Sequence, residues 1–113
     1  YICKQLEIII PNEPPSLLHG DLWQGNLLCG TNNEPILIDP AVYYGHREMD
    51  LAMLELFGSI PQSAIISYNS MFELEKDWKD RFPVHQLYPL LVHLILFGRS
   101  YLGSIQTTLN RYC

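Results

Sequence analysis

A short apolar segment, a turn and a second apolar segment follow one another in the first third of the chain. Residues 26–29 and 35–38 have the length and apolar character of short strands. Gly and Asn dominate the turn between them, and because both tolerate positive φ they favour a hairpin. A hairpin brings the start of its first strand near the end of its second. Asn26 and Asp39 are therefore predicted to lie at one edge, with Asp21 one loop away.

Helical patterns surround this hairpin. Residues 2–10 have a helical pattern, and residues 16–19 read as a short strand that leads into a loop. Residues 48–57 are apolar on almost every side, which predicts a buried helix. A further helix is predicted at residues 61–74 and a charged connector at residues 73–81. A last helical region, broken near Gly98 or Gly103, is predicted at residues 83–109. We expect an apolar stripe of that last region to lie in the core: Leu87, Leu90, Leu91, Leu94 and Ile95. Strands followed by helices indicate an α+β fold in which helix dominates.

Composition excludes several classes of protein. Of the 113 residues, 48% are hydrophobic and 17% charged, which excludes a disordered chain. The formal net charge is −5 and Lys and Arg do not cluster. Nucleic acid is therefore not expected as a partner, because phosphate binding needs concentrated positive charge. No apolar run approaches the ~20 residues of a membrane span, so no membrane partner is expected. Three sparse cysteines suit a reducing cytosol, and we expect a cytoplasmic protein.

Polar side chains at fixed spacing near the hairpin are candidates for metal binding and catalysis. His19, Asp21 and Asn26 form a His-x-Asp-x-x-x-x-Asn loop, and Asp39 follows the returning strand. Converging carboxylate and carboxamide oxygens suit Mg²⁺, which keeps waters and substrate phosphates as its other ligands. A carboxylate that does not bind the metal can accept a proton from an incoming hydroxyl. The spacing matches the catalytic loop and the metal-binding Asp of protein kinases, which transfer a phosphoryl group from ATP.

Two stretches of the sequence resemble one branch of the kinase-like superfamily. His-Gly-Asp-Leu-Trp-x-Gly-Asn at residues 19–26 and Ile-Asp-Pro-Ala-Val-Tyr-Tyr-Gly-His-Arg-Glu-x-Asp-Leu-Ala-Met at residues 38–53 resemble the fructosamine kinase (ketosamine kinase) family. Its relatives are the aminoglycoside phosphotransferases and choline kinases. Gln24 stands where many members have Ser, at a position without a chemical role. The resemblance implies that residues 1–113 form the C-terminal lobe of a protein-kinase-like fold, with the N-terminal ATP-clamping lobe upstream of the chain.

The resemblance also implies a role for individual residues. Asp21 is expected to be the catalytic base that faces a sugar hydroxyl, while Asn26 and Asp39 hold Mg²⁺ against the phosphates of ATP. His19 and Asp50 are expected to support the loop, Asp50 from the start of its helix, where a carboxylate favours the dipole. The implied reaction is ATP-dependent phosphoryl transfer to a hydroxyl of a ketosamine or glycated amine. Residues placed to contact that substrate are Trp23, His46, Arg47 and Glu48.

Other interpretations of these residues stay open. The residues Asp21, Asn26 and Asp39 also suit an Asx-rich turn that caps strands. His19, Asp21 and His46 have the ligand types of a zinc site, although their spacing matches no zinc arrangement. Trp23 also suits ordinary core packing, and residues 43–48 also suit a structural loop that supports the hairpin.

Two other functions also fit the sequence. A kinase acting on an aminoglycoside or on choline shares the loop and the metal-binding Asp. A non-catalytic fragment whose exposed apolar face serves association is a rival of a different class. Because the chain holds the catalytic loop without a glycine-rich loop before it, we expect it to be inactive by itself. Because 48% hydrophobic content is high for 113 residues, we expect exposed apolar surface and self-association.

Overall fold

The computed structural model describes residues 2–112, which form six α-helices and four short strands. The helices are Ile2–Ile9 (α1), Glu48–Leu56 (α2), Gln62–Met71 (α3), Trp78–His85 (α4), Leu87–Phe97 (α5) and Leu102–Tyr112 (α6). The strands are Ser16–Leu18 (β1), Leu27–Cys29 (β2), Pro35–Leu37 (β3) and Tyr43–Gly45 (β4), and 3-10 turns occupy Gln24–Asn26 and Arg99–Tyr101. Within the described residues no helix has both the length and the apolar character to cross a membrane.

The predicted hairpin is confirmed. β2 and β3 pair antiparallel, and Asn33 in the turn between them takes a positive φ of 60°, a conformation that Asn tolerates better than most residues. Beyond the strands, the backbone amide of Ile38 donates a 3.0 Å hydrogen bond to the carbonyl of Asn26. This bond brings Asn26 to the edge where Asp39 follows, as the hairpin argument predicted.

A second two-stranded sheet was not predicted. β1 pairs antiparallel with β4, so that Leu18 lies opposite Tyr43. Past the end of β1, the backbone amide of Ala41 donates a 2.8 Å hydrogen bond to the carbonyl of His19. The two strands lie on either side of the hairpin in sequence, so no local pattern indicates their pairing. Together they place the loop after β1 beside the start of α2.

The buried core lies between α2 and α4. Leu51 and Ala52 of α2 are 6% and 0% exposed and form a cluster with Leu74 and Phe82. Partly buried side chains pack around this cluster: Ile60, Tyr68 and Trp78. The buried helix predicted from the all-round apolar pattern is therefore confirmed as α2.

The boundaries of α4 differ from the prediction. Helix α4 begins at Trp78, inside the stretch predicted as a charged connector, and Pro83 lies within this helix rather than at the start of the next. Burial of Phe82 against α2 outweighs the charged composition, which by itself indicated a loop. The predicted break after α5 is confirmed at Gly98, whose φ is 95°.

The apolar stripe expected in the core is only partly buried. Leu90 is 4% exposed, but Leu91 is 45% and Ile95 is 82% exposed. Helix α5 is apolar on most of its surface, so the periodicity of its residues does not say which side faces inward. The prediction was wrong for Leu91 and Ile95, because neighbouring elements decide the buried side.

Candidate active site

A carboxylate on α2 holds the backbone of the loop that follows β1. Asp50 Oδ2 accepts a 2.7 Å hydrogen bond from the amide of His19, and Asp50 Oδ1 accepts one of 3.0 Å from the amide of Gly20. Gly20 has a φ of 83°, and a Cβ there would lie 1.9 Å from the carbonyl oxygen of Ala41. Only glycine fits this close approach, which lets the loop turn sharply toward Asp21.

The ring of His19 joins the loop to the hairpin. Nε2 lies 2.9 Å from the carbonyl oxygen of Ile38 and is therefore its donor. Nδ1 then accepts from the backbone amide of Asp21 at 3.3 Å. One imidazole thus connects the residue before Asp39 with Asp21, and both of its nitrogens are occupied by structural contacts.

Asn26 fixes the side chain of Asp21. Asn26 is 6% exposed, and its Nδ2 donates to the backbone carbonyl of Asp21 at 2.9 Å and to Asp21 Oδ2 at 3.2 Å. Within the described part of the chain, Asp21 Oδ1 and Asn26 Oδ1 make no hydrogen bond. The two side chains are therefore held against each other with one acceptor oxygen on each left unoccupied.

Asp39 occupies a strained backbone position at the end of the hairpin. Its φ of 51° lies in the left-handed region, which non-glycine residues enter at a cost of about 1–3 kcal/mol. Its side chain is exposed. Because the backbone of Ile38 is bonded both to the His19 ring and to Asn26, the backbone of Asp39 follows directly after the point where the hairpin meets the loop that carries Asp21.

A cleft of about 740 Å³ opens next to this loop. Asp21 and Asp50 line it, and no Lys or Arg does among the described residues. Trp23 is 41% exposed and also lines the cleft, so core packing does not account for it. A Cβ on Gly25 would lie 2.2 Å from the Trp23 ring, so glycine provides the space for that ring. The remaining aromatic lining comes from four other segments: Tyr43, Phe57, Tyr88, Phe97 and Tyr101.

Helix α5 supplies one wall of the cleft, which the sequence did not indicate. His93 lies among three aromatic rings, with centroids 4.9 Å away for Phe57, 5.4 Å for Phe97 and 5.3 Å for Tyr101. Its Nδ1 lies 2.7 Å from the carbonyl oxygen of Pro89. A histidine in an apolar helix has no local signal that separates a cleft wall from an ordinary packed position.

Comparisons with known proteins identify the family. The family model described as fructosamine kinase matches residues 4–113. The chain belongs to the fructosamine kinase family. A protein of Enterococcus faecium named "probable ketoamine kinase" is 48% identical over 98 residues, which are 87% of this chain and 35% of that protein. Another of that name, from Lactiplantibacillus plantarum, matches with the same identity and coverage. The chain thus spans about a third of the length of these curated relatives.

Solved structures agree with this fructosamine kinase assignment. A crystal structure from Thermobifida fusca, described as a "putative fructosamine-3-kinase", superposes with a TM-score of 0.84 at 43% identity. The match covers 95% of this chain and 37% of that one. A similarly described structure from Haemophilus somnus gives 0.79 at 31% identity, covering 98% and 38%. The helix-dominated α+β fold predicted from the sequence is confirmed.

In this fructosamine kinase chain Arg47 lies in the interior. It is 4% exposed, and it donates to both carboxylate oxygens of Glu13 at 2.8 and 3.0 Å. It also donates to the carbonyls of Phe72 and Glu73, each at 2.6 Å. Arg47 lowers the pKa of Glu13 through this pair. These contacts use the guanidinium, so the expectation that Arg47 contacts a substrate is corrected: it joins α2 to the segment before β1.

Glu48 is also interior, with 0% exposure. Arg81 donates to its two oxygens at 2.6 and 2.9 Å, and His85 Nε2 lies 3.0 Å from Oε2. Although burial opposes ionisation, the hydrogen bonds from Arg81 and His85 outweigh it and lower the pKa of Glu48 from 4.5 to about 2. Glu48 therefore joins α2 to α4 as an ion, and the expectation of substrate contact is corrected for it too.

His46 belongs to the same interior cluster. Its ring stacks on His85 with centroids 5.2 Å apart, and its Nδ1 accepts from the amide of Glu48 at 3.3 Å. Burial lowers its pKa, which keeps the ring neutral near pH 7. It does not line the cleft. The structural-loop interpretation of residues 43–48 therefore fits His46, Arg47 and Glu48.

The zinc set considered from the sequence is not assembled. In the described part of the chain, the group of His, Cys or acidic side chains close enough to share an ion is His46, Glu48 and His85, within 4.8 Å of one another. Both oxygens of Glu48 already face the Arg81 guanidinium. A cation placed there would meet that positive charge, so the cluster is explained as a buried ion-pair network.

Proposed function

We propose that this chain carries the catalytic loop of an ATP-dependent kinase that phosphorylates a hydroxyl of a ketosamine. The observation that carries the proposal is the Asp21–Asn26 pair. Asn26 holds one oxygen of Asp21 and leaves Oδ1 without a partner among the described residues, in a side chain that lines the cleft. An oriented carboxylate with one free oxygen suits a base that accepts a hydroxyl proton.

In this proposal Asn26 and Asp39 are the magnesium ligands. Both offer hard oxygen donors, and Asn26 Oδ1 makes no hydrogen bond to a described residue, which fits a site for Mg²⁺. When bound, the ion would neutralise charge on the ATP phosphates. The chain's own contribution is to fix the two ligands: Ile38 bonds to Asn26 on one side and to the His19 ring on the other, next to the strained backbone of Asp39.

His19 and Asp50 act as positioning residues in this proposal. The polar atoms of both side chains are already used in hydrogen bonds. Asp50 accepts hydrogen bonds from two loop amides, and the His19 ring joins Asp21 to the hairpin. Catalysis of phosphoryl transfer depends mainly on placement of the reacting groups. The network therefore supports the reaction by fixing the segments that carry Asp21 and Asp39 relative to each other.

The charge of the cleft favours a cationic or neutral substrate. Asp21 and Asp50 line it, and none of its lining residues in the described part of the chain is Lys or Arg, so a sugar phosphate or sugar acid would be repelled. A ketosamine carries an ammonium group next to its sugar. Trp23 is the residue we propose to stack on the apolar face of that sugar, because its ring is exposed in the cleft beside Asp21.

The whole protein's properties are part of the same proposal. We infer that an ATP-clamping lobe outside residues 1–113 completes the nucleotide site, so this chain by itself is inactive and its exposed apolar surface leads to self-association. We also infer a reducing compartment, the cytoplasm, which suits the free and exposed Cys3 and Cys29. No role for nucleic acid or a membrane is proposed.

The test uses the full-length protein with Mg²⁺ and ATP. Release of ADP is measured with a ketosamine, an aminoglycoside and choline as separate acceptors, and reactions without enzyme give the background. We expect turnover with the ketosamine and none with the other two. Turnover with an aminoglycoside or choline and none with the ketosamine would assign the protein to another branch of the superfamily.

A further inference from the structure

Tyr43 occupies a fixed place beside the catalytic loop. It lies on β4 opposite Leu18, the residue before His19, and it lines the same cleft as Asp21. Side chains alternate along a strand, and Tyr44 accordingly faces the other way: it is 71% exposed against 38% for Tyr43 and does not line the cleft. The two neighbouring tyrosines therefore differ in their access to the cleft.

Two glycines make room for the Tyr43 ring. A Cβ on Gly20 would lie 3.2 Å from Tyr43 Cδ1, and a Cβ on Gly45 would lie 2.8 Å from Tyr43 Cε2. Gly45 follows two residues later on the same face of β4. The ring thus packs against bare backbone at both points, which limits the positions that the ring can take.

The hydroxyl of Tyr43 is an available donor in the cleft. Burial raises its pKa, and the nearby Asp50 and Tyr88 add to the rise, so the phenol stays protonated at neutral pH. It makes no hydrogen bond to another described residue. A partly buried donor without a protein partner, on a rigid strand beside the proposed base, is suited to bind a hydroxyl of a ligand.

We propose that Tyr43 is a specificity-determining residue that donates a hydrogen bond to a sugar hydroxyl of the ketosamine while Asp21 faces the hydroxyl to be phosphorylated. This inference rests on the proposed function. Two fixed points on one sugar, a base and a phenol, select which hydroxyl reaches Asp21. The contact is with the substrate alone and is separate from the ATP phosphates and the magnesium ligands.

The test compares Tyr43→Phe with Tyr44→Phe in the full-length protein. Loss of one neutral hydrogen bond predicts a rise in KM for the ketosamine of about 3- to 10-fold in Tyr43→Phe. KM for ATP and the melting temperature are expected to stay at wild-type values, and Tyr44→Phe is expected to match wild type throughout. An unchanged ketosamine KM in Tyr43→Phe, or an equal rise in Tyr44→Phe, would overturn the inference.

A set of ketosamines that each lack one hydroxyl identifies the bonded group. In wild type, the analogue lacking that hydroxyl should show the same rise in KM, and in Tyr43→Phe it should show no further rise. If the rise in KM from Tyr43→Phe adds to the rise from the missing hydroxyl for every analogue, a direct bond is contradicted. The wild-type protein separates the two proposals: if it turns over no ketosamine, both fail, whereas normal turnover with an unaffected Tyr43→Phe rejects only the role of Tyr43.

Discussion

Asp50 Oδ2 accepts a 2.7 Å hydrogen bond from the backbone amide of His19, thirty-one positions earlier in the chain. Its other oxygen holds Gly20, so the first turn of α2 sets the backbone conformation of the loop that carries Asp21. Helix α2 is in turn fixed at its start by the buried pair of Glu48 with Arg81. The position of the proposed base therefore depends on contacts made well outside the cleft.

Removal of the Asp50 carboxylate should loosen the loop. Hydrogen bonds to charged acceptors are worth about 1.5–3 kcal/mol each, so loss of both bonds in Asp50→Ala in the full-length protein is expected to lower the free energy of unfolding by about 3–6 kcal/mol and to lower kcat. Asp50→Asn keeps one acceptor and should be milder in both. Chemical denaturation and steady-state kinetics measure these effects. Wild-type kcat in Asp50→Ala would show that the loop keeps its shape without this contact.

Asp21→Asn tests the base. A general base contributes about 10²- to 10⁴-fold to the rate, and we expect kcat to fall within that range while the affinity for ATP stays close to wild type. Steady-state kinetics and a direct ATP titration separate the two quantities. Near-full turnover would remove Asp21 from the role of base, and lost ATP affinity would point to a metal-binding role instead.

The metal ligands are tested by titrating Mg²⁺ against activity. Asp39→Ala removes the charged ligand and should abolish productive binding of Mg²⁺ with ATP, whereas Asn26→Ala removes a neutral one and should raise the Mg²⁺ requirement less. Asn26→Ala should also lower kcat, because Asn26 holds Asp21 Oδ2. An unchanged Mg²⁺ dependence in Asp39→Ala would contradict the assignment.

Glu48 makes stability depend on pH. Its pKa is lowered from 4.5 to about 2 in the fold, so its stabilisation is fully present above about pH 4.5 and is lost as the pH falls through about 2. Glu48→Gln in the full-length protein leaves Arg81 buried without its partner and should cost about 3–5 kcal/mol at pH 7. The free energy of unfolding of this variant should also fall less steeply between pH 4.5 and 2.

The control for Glu48 is Glu55→Gln, an exposed glutamate on the same helix. Denaturation at a series of pH values compares the two variants with wild type. Glu55→Gln is expected to keep both the stability and the acid profile of the wild type. If Glu48→Gln shows the wild-type acid profile, the ion pair with Arg81 does not govern acid unfolding.

Residues 1–113 produced alone are expected to self-associate and to lack kinase activity. Ile8, Met71 and Ile95 are 80%, 87% and 82% exposed, and exposed apolar patches promote association. Sedimentation at micromolar concentration should show a species larger than the 13.1 kDa monomer. A clean monomer would contradict the first expectation. ATP turnover by this chain would contradict the second, together with the proposal that a further lobe completes the nucleotide site.

Local sequence was sufficient for the hairpin and for the loop before it. Turn composition between two apolar segments identifies the pairing of β2 with β3, and this pairing alone brings Asn26 toward Asp39. The all-round apolar pattern of α2 likewise predicted its burial. These features depend on residues close in sequence, where turn chemistry and periodicity act directly.

Sequence spacing did not reveal the partners of the charged residues after β4. Arg47 and Glu48 stand beside the motif and read as substrate contacts, yet their partners are Glu13 and Arg81, more than thirty positions away in opposite directions. A charged side chain looks the same in the sequence whether it faces a cleft or a buried counter-ion. Only the packing of α4 and of the segment before β1 against α2 decides between the two.

The sequence by itself therefore determined the His-x-Asp-x-x-x-x-Asn motif, the hairpin and the family to which they belong. The tertiary structure decided which faces the helices bury and what surrounds the loop. Tyr43 reaches the cleft because β4 pairs with β1, and Ile95 is exposed because no described element covers that side of α5. Both outcomes depend on contacts between distant segments, and a uniformly apolar helix or a three-residue strand carries no periodic signal strong enough to specify them.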